Sequence, residues 1–242
     1  MKAVETVNLT KKYKDLTAVD NLCLQIEEGE LFSLLGVNGA GKTTLIKMLS
    51  CLKRPTSGEA YLLGKNVLTE SGEIKRLIGV SPQETAIASG LSVFENLQFV
   101  CGIWGLGKED TLKKINEVSE ALAISGVLSK KAGRLSGGFQ RRLSIAMALI
   151  SEPKILFLDE PTLGLDVISR AELWEVIRSL KGRATVILTT HYMEEAEALS
   201  DRVGIMKDGR LLAVGTPSEL IASVGEKNLE SAFISIVKGG AL

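Results

Sequence analysis

The chain contains little cysteine, little histidine and few aromatic residues. Its 242 residues include three cysteines and one histidine, and Phe, Trp and Tyr together make up 5%. Cys23, Cys51 and Cys101 are widely spaced among apolar neighbours, which indicates reduced thiols and gives no support for a disulfide framework. With one histidine and no paired cysteines, no zinc site of a familiar type is recognisable.

An excess of either charge is also missing, as is any long apolar run. The 29 basic residues balance the 29 acidic ones, so we expect no net field that would recruit nucleic acid or anionic lipid. Residues 1–5 lack the apolar core of a signal peptide. No stretch approaches the ~18 consecutive apolar residues of a transmembrane helix. We therefore expect a cytosolic chain that does not itself span a membrane.

The most informative stretch is an apolar run that leads into a glycine-rich turn, residues 30–46. It matches G-x-x-x-x-G-K-[ST], in which glycines let backbone N–H groups wrap a polyphosphate. Lys42 can bring a cation to the β- and γ-phosphates, and the Thr43 hydroxyl can bind Mg²⁺. A chance glycine turn is the alternative. The residues expected to bind the nucleotide here are Gly36, Asn38, Gly39, Ala40, Gly41, Lys42, Thr43 and Thr44.

A second apolar run, residues 155–158, ends in two carboxylates. Asp159 at the tip of a buried strand could hold Mg²⁺, directly or through water. Glu160, one residue further, could orient a water for attack on the γ-phosphate. The alternative is an ordinary acidic pair that faces solvent at a strand end.

A Ser-Gly-Gly triplet opens an apolar helix just upstream of that strand. Ser136, Gly137 and Gly138 would place unpaired N–H groups at a helix N-terminus, which binds anions well. Taken alone, the triplet could be a simple N-cap and turn. Its position before the carboxylate strand favours a second phosphate-facing element.

Together these motifs resemble the nucleotide-binding subunits of ABC (ATP-binding cassette) transporters over essentially the whole chain. Residues 36–43 are similar to the Walker A motif, residues 155–159 to Walker B, and residues 135–140 to the ABC signature. Gln83 matches the Q-loop, and the pair 165–166 matches the D-loop. His191 matches the switch histidine.

The resemblance implies ATP and Mg²⁺ as cofactors and assigns roles to residues. Tyr13 would stack on adenine with Val19 also in the nucleotide site, and Thr43, Gln83 and Asp159 would serve the metal. The catalytic residues would be Lys42, Glu160 and His191. Two departures are Phe139, where glutamine is usual, and Val167, where proline is frequent.

The family's fold is a P-loop NTPase (RecA-like) α/β domain. The resemblance therefore implies a mainly parallel sheet, an N-terminal antiparallel β subdomain and an inserted helical subdomain. We expect an ATP-binding core at residues 1–86 and 151–222, a helical subdomain at 87–150, and a tail at 223–242. Two shorter stretches give local predictions. Residues 11–14 predict a polar connection. Arg141 and Arg142 predict a solvated helix face or a backbone cap.

The periodicity of residues 108–123 predicts an amphipathic helix with Leu112, Ile115, Val118 and Leu122 on one face. Further along, Asp208 and Gly209 predict a hairpin turn. Residues 216–219 predict the cap of a last helix.

In the family, two domains pair head to tail, so that Ser136 and Gly138 of one chain would meet the γ-phosphate bound by the other. Residues 191–219 resemble drug-resistance and ABC-2 type exporter ATPases. We therefore expect a homodimer or heterodimer bound to a membrane permease at the cytoplasmic face. The alternatives are an importer ATPase, a cassette ATPase acting on ribosomes or DNA, and a nucleotide sensor without hydrolysis. No basic patch favours nucleic acid.

Overall fold

The part of the chain that this computed structural model describes, residues 1–239, forms two β-sheets and a set of helices around them. The strands are β1 (Lys2–Tyr13), β2 (Leu16–Glu27), β3 (Leu31–Leu35), β4 (Ser57–Leu62), β5 (Lys65–Asn66), β6 (Ile78–Ser81), β7 (Ile155–Asp159), β8 (Thr185–Thr190), β9 (Arg202–Lys207) and β10 (Arg210–Gly215). The helices are α1 (Lys42–Leu49), α2 (Ser71–Leu77), α3 (Val93–Ile103), α4 (Lys108–Ala121), α5 (Gly137–Leu149), α6 (Val167–Ser179), α7 (Met193–Leu199), α8 (Pro217–Ser223) and α9 (Leu229–Gly239).

The larger sheet has six strands in the order β10-β9-β3-β8-β7-β6. All neighbouring pairs are parallel except the β9–β10 hairpin at one edge. Every residue of β3, β7 and β8 is buried, because helices cover both faces of a parallel sheet and its strands are therefore mainly apolar. This confirms the predicted mainly parallel α/β fold.

The smaller sheet is antiparallel, in the order β2-β1-β4-β5. Apolar residues of α1 pack in one core with residues of β1, β2 and β4. The predicted connection at residues 11–14 is wrong for residues 11–13, because the ladder continues to the pair Tyr13↔Leu16 and leaves Lys14 and Asp15 as the turn. The strand ends here are largely exposed, so polar residues are tolerated and composition alone does not reveal the strand.

Helices α3 to α6 pack in a second core on the other face of the larger sheet. The capping box predicted at the start of α3 is present, with Ser92 and Glu95 bonding reciprocally. In α4 the predicted face is wrong at Leu112, which is 45% exposed. Thr111 is buried instead, because it shares the helical spacing of Ile115 and Val118. The subdomain boundaries stay a prediction.

The C-terminal elements complete a third core. The predicted turn at Asp208 and Gly209 joins β9 to β10, and the predicted cap at Thr216 opens α8. The expectation that this helix is the last is wrong, since α9 follows and buries Phe233. The final three residues of the predicted tail, 240–242, lie outside the described residues. Within residues 1–239, none of the helices combines the length and apolarity that crossing a bilayer requires.

Candidate nucleotide-binding site

An open cleft of about 600 Å³ lies at the carboxyl end of the parallel sheet. Strands β3, β8, β7 and β6 are neighbours in that order, so the segments that follow them meet at one edge. The sheet thereby brings together groups that are far apart in sequence. The predicted site residues that line the cleft are Tyr13, Asn38, Gly39, Ala40, Gly41, Lys42, Thr43, Thr44, Gln83, Glu160 and His191.

The glycine-rich loop after β3 adopts a conformation that only glycine accepts easily. Gly41, the N-cap of α1, has φ +104°, and a Cβ at this position would strike the carbonyl oxygen of Ala18. The Lys42 side chain is 6% exposed and donates to the Gly36 carbonyl at 2.6 Å. The loop therefore presents a buried cation and the free N–H groups of a helix start, which suits a polyphosphate.

Asp159, at the end of β7, is 5% exposed and lies below the loop. Its Oδ1 accepts hydrogen bonds from the hydroxyls of Thr43 (3.1 Å) and Thr189 (2.6 Å). Neither hydroxyl carries a charge that would compensate the buried carboxylate. An all-oxygen set that includes a buried carboxylate fits Mg²⁺, which takes few protein ligands beside phosphate and water.

Glu160 occupies the centre of the cleft floor and is 6% exposed. Its backbone is left-handed, with φ +49°, a conformation that is uncommon for non-glycine residues. One carboxylate oxygen lies 3.3 Å from Lys42 Nζ, and the other accepts a hydrogen bond from His191 Nδ1 at 2.8 Å. The structure therefore joins all three predicted catalytic residues in one network.

Tyr13 and Val19 were both predicted in the nucleotide site, and the structure places Tyr13 in the cleft but not Val19. Tyr13 is 39% exposed and lines the cleft. Val19 is fully buried in the apolar core and does not line it, so that prediction is corrected. Val19 points inward because side chains alternate along a strand, and the neighbouring Ala18 lines the cleft instead.

The Ser-Gly-Gly triplet is placed away from the cleft of its own chain. Ser136 is the N-cap of α5, and its hydroxyl makes no capping bond within the described chain. Ser136 and Gly137 are exposed, whereas Gly138 is buried beside Ser169 of α6. Gln140 donates to the carbonyls of Ala132 and Leu135, which holds the preceding loop. A free helix start is thus available to another molecule.

A family model described as "ABC transporter" matches residues 19–163. The chain belongs to the ABC transporter family. It is 40% identical over 240 residues to the "Probable multidrug ABC transporter ATP-binding protein YbhF" of Escherichia coli (strain K12). That alignment covers 97% of this chain but 41% of YbhF, so the chain spans about two fifths of its relative.

Two further comparisons agree. The chain is 39% identical over 229 residues to the "Daunorubicin resistance ATP-binding protein DrrA3" of Streptomyces coeruleorubidus, covering 94% of this chain and 72% of that protein. A dimeric structure of the cassette MJ0796 in a post-hydrolysis state with ADP and Pi has a TM-score of 0.79 at 29% identity, covering 88% of this chain and 98% of that one. The predicted ABC ATP-binding cassette is therefore confirmed.

Several groups around the site of this ABC cassette were not predicted from the sequence. Thr189 both donates to Asp159 and accepts from the Glu160 backbone N–H, and a Thr-Thr-His sequence at a strand end is the signal that could have indicated it. Tyr192 stacks against His191, with ring centroids 4.1 Å apart. The other unpredicted residues at the cleft are Leu16, Thr17, Ala18, Leu163 and Asp208.

The two arginines of the signature helix were predicted on a solvated face or as a backbone cap. The solvated face is wrong, because Arg141 and Arg142 are 5% and 7% exposed. Arg141 caps carbonyls of the Q-loop, and Arg142 pairs with Glu172 of α6 at 2.5 Å. Their burial follows from α5 packing between β6 and α6, which sequence composition does not reveal.

Glu195, in the helix after the switch histidine, is fully buried. Burial raises the pKa of its carboxyl, and the nearby charge of Glu160 raises this pKa further. The hydrogen bond that the Trp174 indole donates to this carboxyl opposes the rise in pKa. Trp174 Nε1 donates to Glu195 Oε1 at 3.1 Å. Glu195 therefore holds α6 and α7 together behind the cleft.

Proposed function

We propose that this chain is the ATP-hydrolysing subunit of an exporter, in which two cassettes close head to tail over ATP and drive a separate membrane subunit. The observation that carries the proposal is the separation of two phosphate-binding elements. The loop at Lys42 lines the cleft, whereas Ser136 and Gly137 are exposed outside it. One chain therefore offers each half of a complete site once.

Within the cleft, each residue has a distinct task. Tyr13 stacks on adenine, and Lys42 holds the β- and γ-phosphates. Glu160 polarises the attacking water, and His191 keeps the Glu160 carboxylate oriented through the 2.8 Å bond. Mg²⁺ would be held by Thr43, Gln83 and Asp159. When bound, Mg²⁺ would neutralise charge on the phosphates.

The head-to-tail arrangement is tested by substituting Ser136 with Glu. An acidic residue at a helix N-terminus favours the helix but repels a phosphate presented by a second chain. Light scattering of a Glu160→Gln background in saturating MgATP should show a mass close to a dimer. Adding Ser136→Glu should return a monomer that still binds ATP.

Mixing two variants with different defects tests the same pairing by complementation. A mixture of the Ser136→Glu chain with a Lys42→Ala chain contains one intact composite site per mixed pair, so ATP-dependent dimers should reappear. A dimer that survives Ser136→Glu alone, or a mixture that stays monomeric, would contradict the head-to-tail pairing. A different cassette chain with the same two elements would complete the site in the same way, so a homodimer and a heterodimer both fit the proposal.

The membrane subunit is expected on the outer face of α3. Phe99 and Ile103 are 63% and 67% exposed, and Trp104 next to them is 40% exposed. A contiguous exposed apolar surface of this kind is typical of an interaction site. Phe99→Asp should abolish co-purification with the membrane subunit and leave ATP binding intact. Ile234→Asp, at an exposed residue of α9, is the control.

The proposed direction of transport, export, rests on the resemblance to the multidrug and daunorubicin-resistance proteins. On the same resemblance, the membrane subunit would hold this chain at the cytoplasmic face of the membrane. Substrate transport by vesicles that contain both subunits gives the direction. Uptake driven by this ATPase would favour the importer alternative. The balanced charge gives no reason to expect nucleic acid as a partner.

A further inference from the structure

Arg141 makes a two-pronged contact between the signature helix and the Q-loop. Its Nη1 donates to the Pro82 carbonyl at 2.7 Å and its Nη2 to the Gln83 carbonyl at 2.7 Å. The residue is 5% exposed, and the planar guanidinium fork matches two adjacent acceptors as no other side chain does.

The same helix also holds the strand that leads into the Q-loop. The hydroxyls of Ser144 in α5 and Ser81 in β6 lie 2.9 Å apart, and both residues are buried. At Gly79 the two elements come so close that a Cβ would lie 2.5 Å from the Ala148 carbonyl oxygen. Arg141 is the contact of this series nearest the cleft, so α5 is tied to the Q-loop as well as to β6.

A buried charge needs a reason, because its desolvation is costly. Burial lowers the pKa of the Arg141 guanidinium, and the charge of Asp159 raises it again. Since the guanidinium is buried and both of its hydrogen bonds go to the Q-loop, Arg141 faces the site and not solvent. A lysine would keep the charge but present a single point donor.

We propose that Arg141 is a positioning residue that ties the Gln83 backbone to the signature helix, so that a phosphate bound at Ser136–Gly138 sets where the Gln83 side chain lies in the cleft. This inference rests on the proposed function, which gives Gln83 its place at the metal and γ-phosphate. Arg141 itself does not line the cleft; it acts through the backbone of the Q-loop.

The test compares Arg141→Lys and Arg141→Gln with Arg142→Lys. Gln is included because it introduces no misplaced charge if the lysine variant folds poorly. Arg142 is the matched control, since it is equally buried but pairs with Glu172 instead of the Q-loop. Hydrogen exchange of peptides covering residues 80–88 should be faster in both Arg141 variants than in the control.

Turnover is then measured in a double-mutant cycle with Gln83→Ala. Small misplacements of catalytic groups cost up to about 100-fold, so we expect the Arg141 variants to lose about 10- to 100-fold in kcat with little change in KM. In the Gln83→Ala background the same substitutions should cost less than about twofold, because Arg141 acts through Gln83. Arg142→Lys should have the same effect in both backgrounds.

The outcomes separate the inference from the proposed function. Equal losses in both backgrounds, or unchanged exchange of residues 80–88, would overturn the role of Arg141 while Gln83 keeps its own. If Gln83→Ala turns over like the parent, the role of Gln83 fails and with it the positioning of a catalytic group. Faster exchange would then show only that Arg141 holds the loop.

Discussion

Replacing Glu160 with glutamine tests the centre of the site most directly. The substitution keeps the size of the side chain and one accepting oxygen, but removes the negative charge. In the structure that charge lies 3.3 Å from Lys42 Nζ and accepts a hydrogen bond from His191. The variant therefore loses both the basic oxygen that would activate water and the counter-charge of a buried lysine.

The two losses have different sizes and appear in different measurements. Loss of a general base typically slows a reaction about 10²- to 10⁴-fold, or about 2.7 to 5.4 kcal/mol of activation free energy. Without nucleotide, losing the charge-assisted hydrogen bonding of the buried pair costs about 2 kcal/mol of stability. In a chain of this length that corresponds to about 4 to 8 °C in the unfolding midpoint.

Nucleotide should remove the stability difference but not the kinetic one. Phosphate would supply Lys42 with a new counter-charge, so the midpoints of parent and variant should converge in saturating MgATP. The variant should bind ATP near normally, turn over slowly and accumulate as the closed dimer. Its turnover falls although binding survives, which is typical of an interaction made mainly in the transition state.

The assay combines steady-state ATPase, thermal unfolding with and without MgATP, and light scattering on one preparation. Glu194→Gln is the control. Glu194 lies three residues after His191 but is exposed, and the substitution makes the same chemical change. A Glu160→Gln variant that turns over at the parental rate would show that Glu160 is not the base. A midpoint difference that persists in MgATP would refute the proposed exchange of counter-charges at Lys42.

Three further predictions follow from the same site. Asp159→Asn should raise the Mg²⁺ concentration needed for half-maximal ATPase at least tenfold, measured by Mg²⁺ titration at fixed ATP; an unchanged titration would exclude Asp159 from the metal site. Gln83→Ala should lower transport in reconstituted vesicles by about tenfold more than it lowers ATP affinity, and the reverse pattern would contradict a coupling role. Burial raises the pKa of Glu195 above 4.5, so the folded state keeps a proton that the unfolded state releases, and stability falls as pH rises from about 4.5 through that raised pKa. Glu195→Gln removes this loss, so the unfolding midpoint of the variant should rise relative to that of the parent as pH increases across that range. A difference between the two midpoints that does not change with pH would refute the buried neutral carboxyl.

The sequence by itself determined the phosphate loop, the carboxylate strand and the fold class. These features are local: a loop that wraps phosphate needs glycine at particular positions, as the φ of +104° at Gly41 shows. A strand buried on both faces is mainly apolar, as β7 is until it ends at Asp159. Where a residue's neighbours in the chain settle its conformation, spacing and composition are enough to predict it.

Only the tertiary structure decided which distant groups meet. Thr189 and Asp159 touch because β7 and β8 pair in one register, and Val19 turned inward because side chains alternate along its strand. Arg141, charged and expected in solvent or at a backbone cap, is buried on the Q-loop because α5 packs along β6. Such contacts depend on packing between elements far apart in sequence, and no local pattern of residues encodes them.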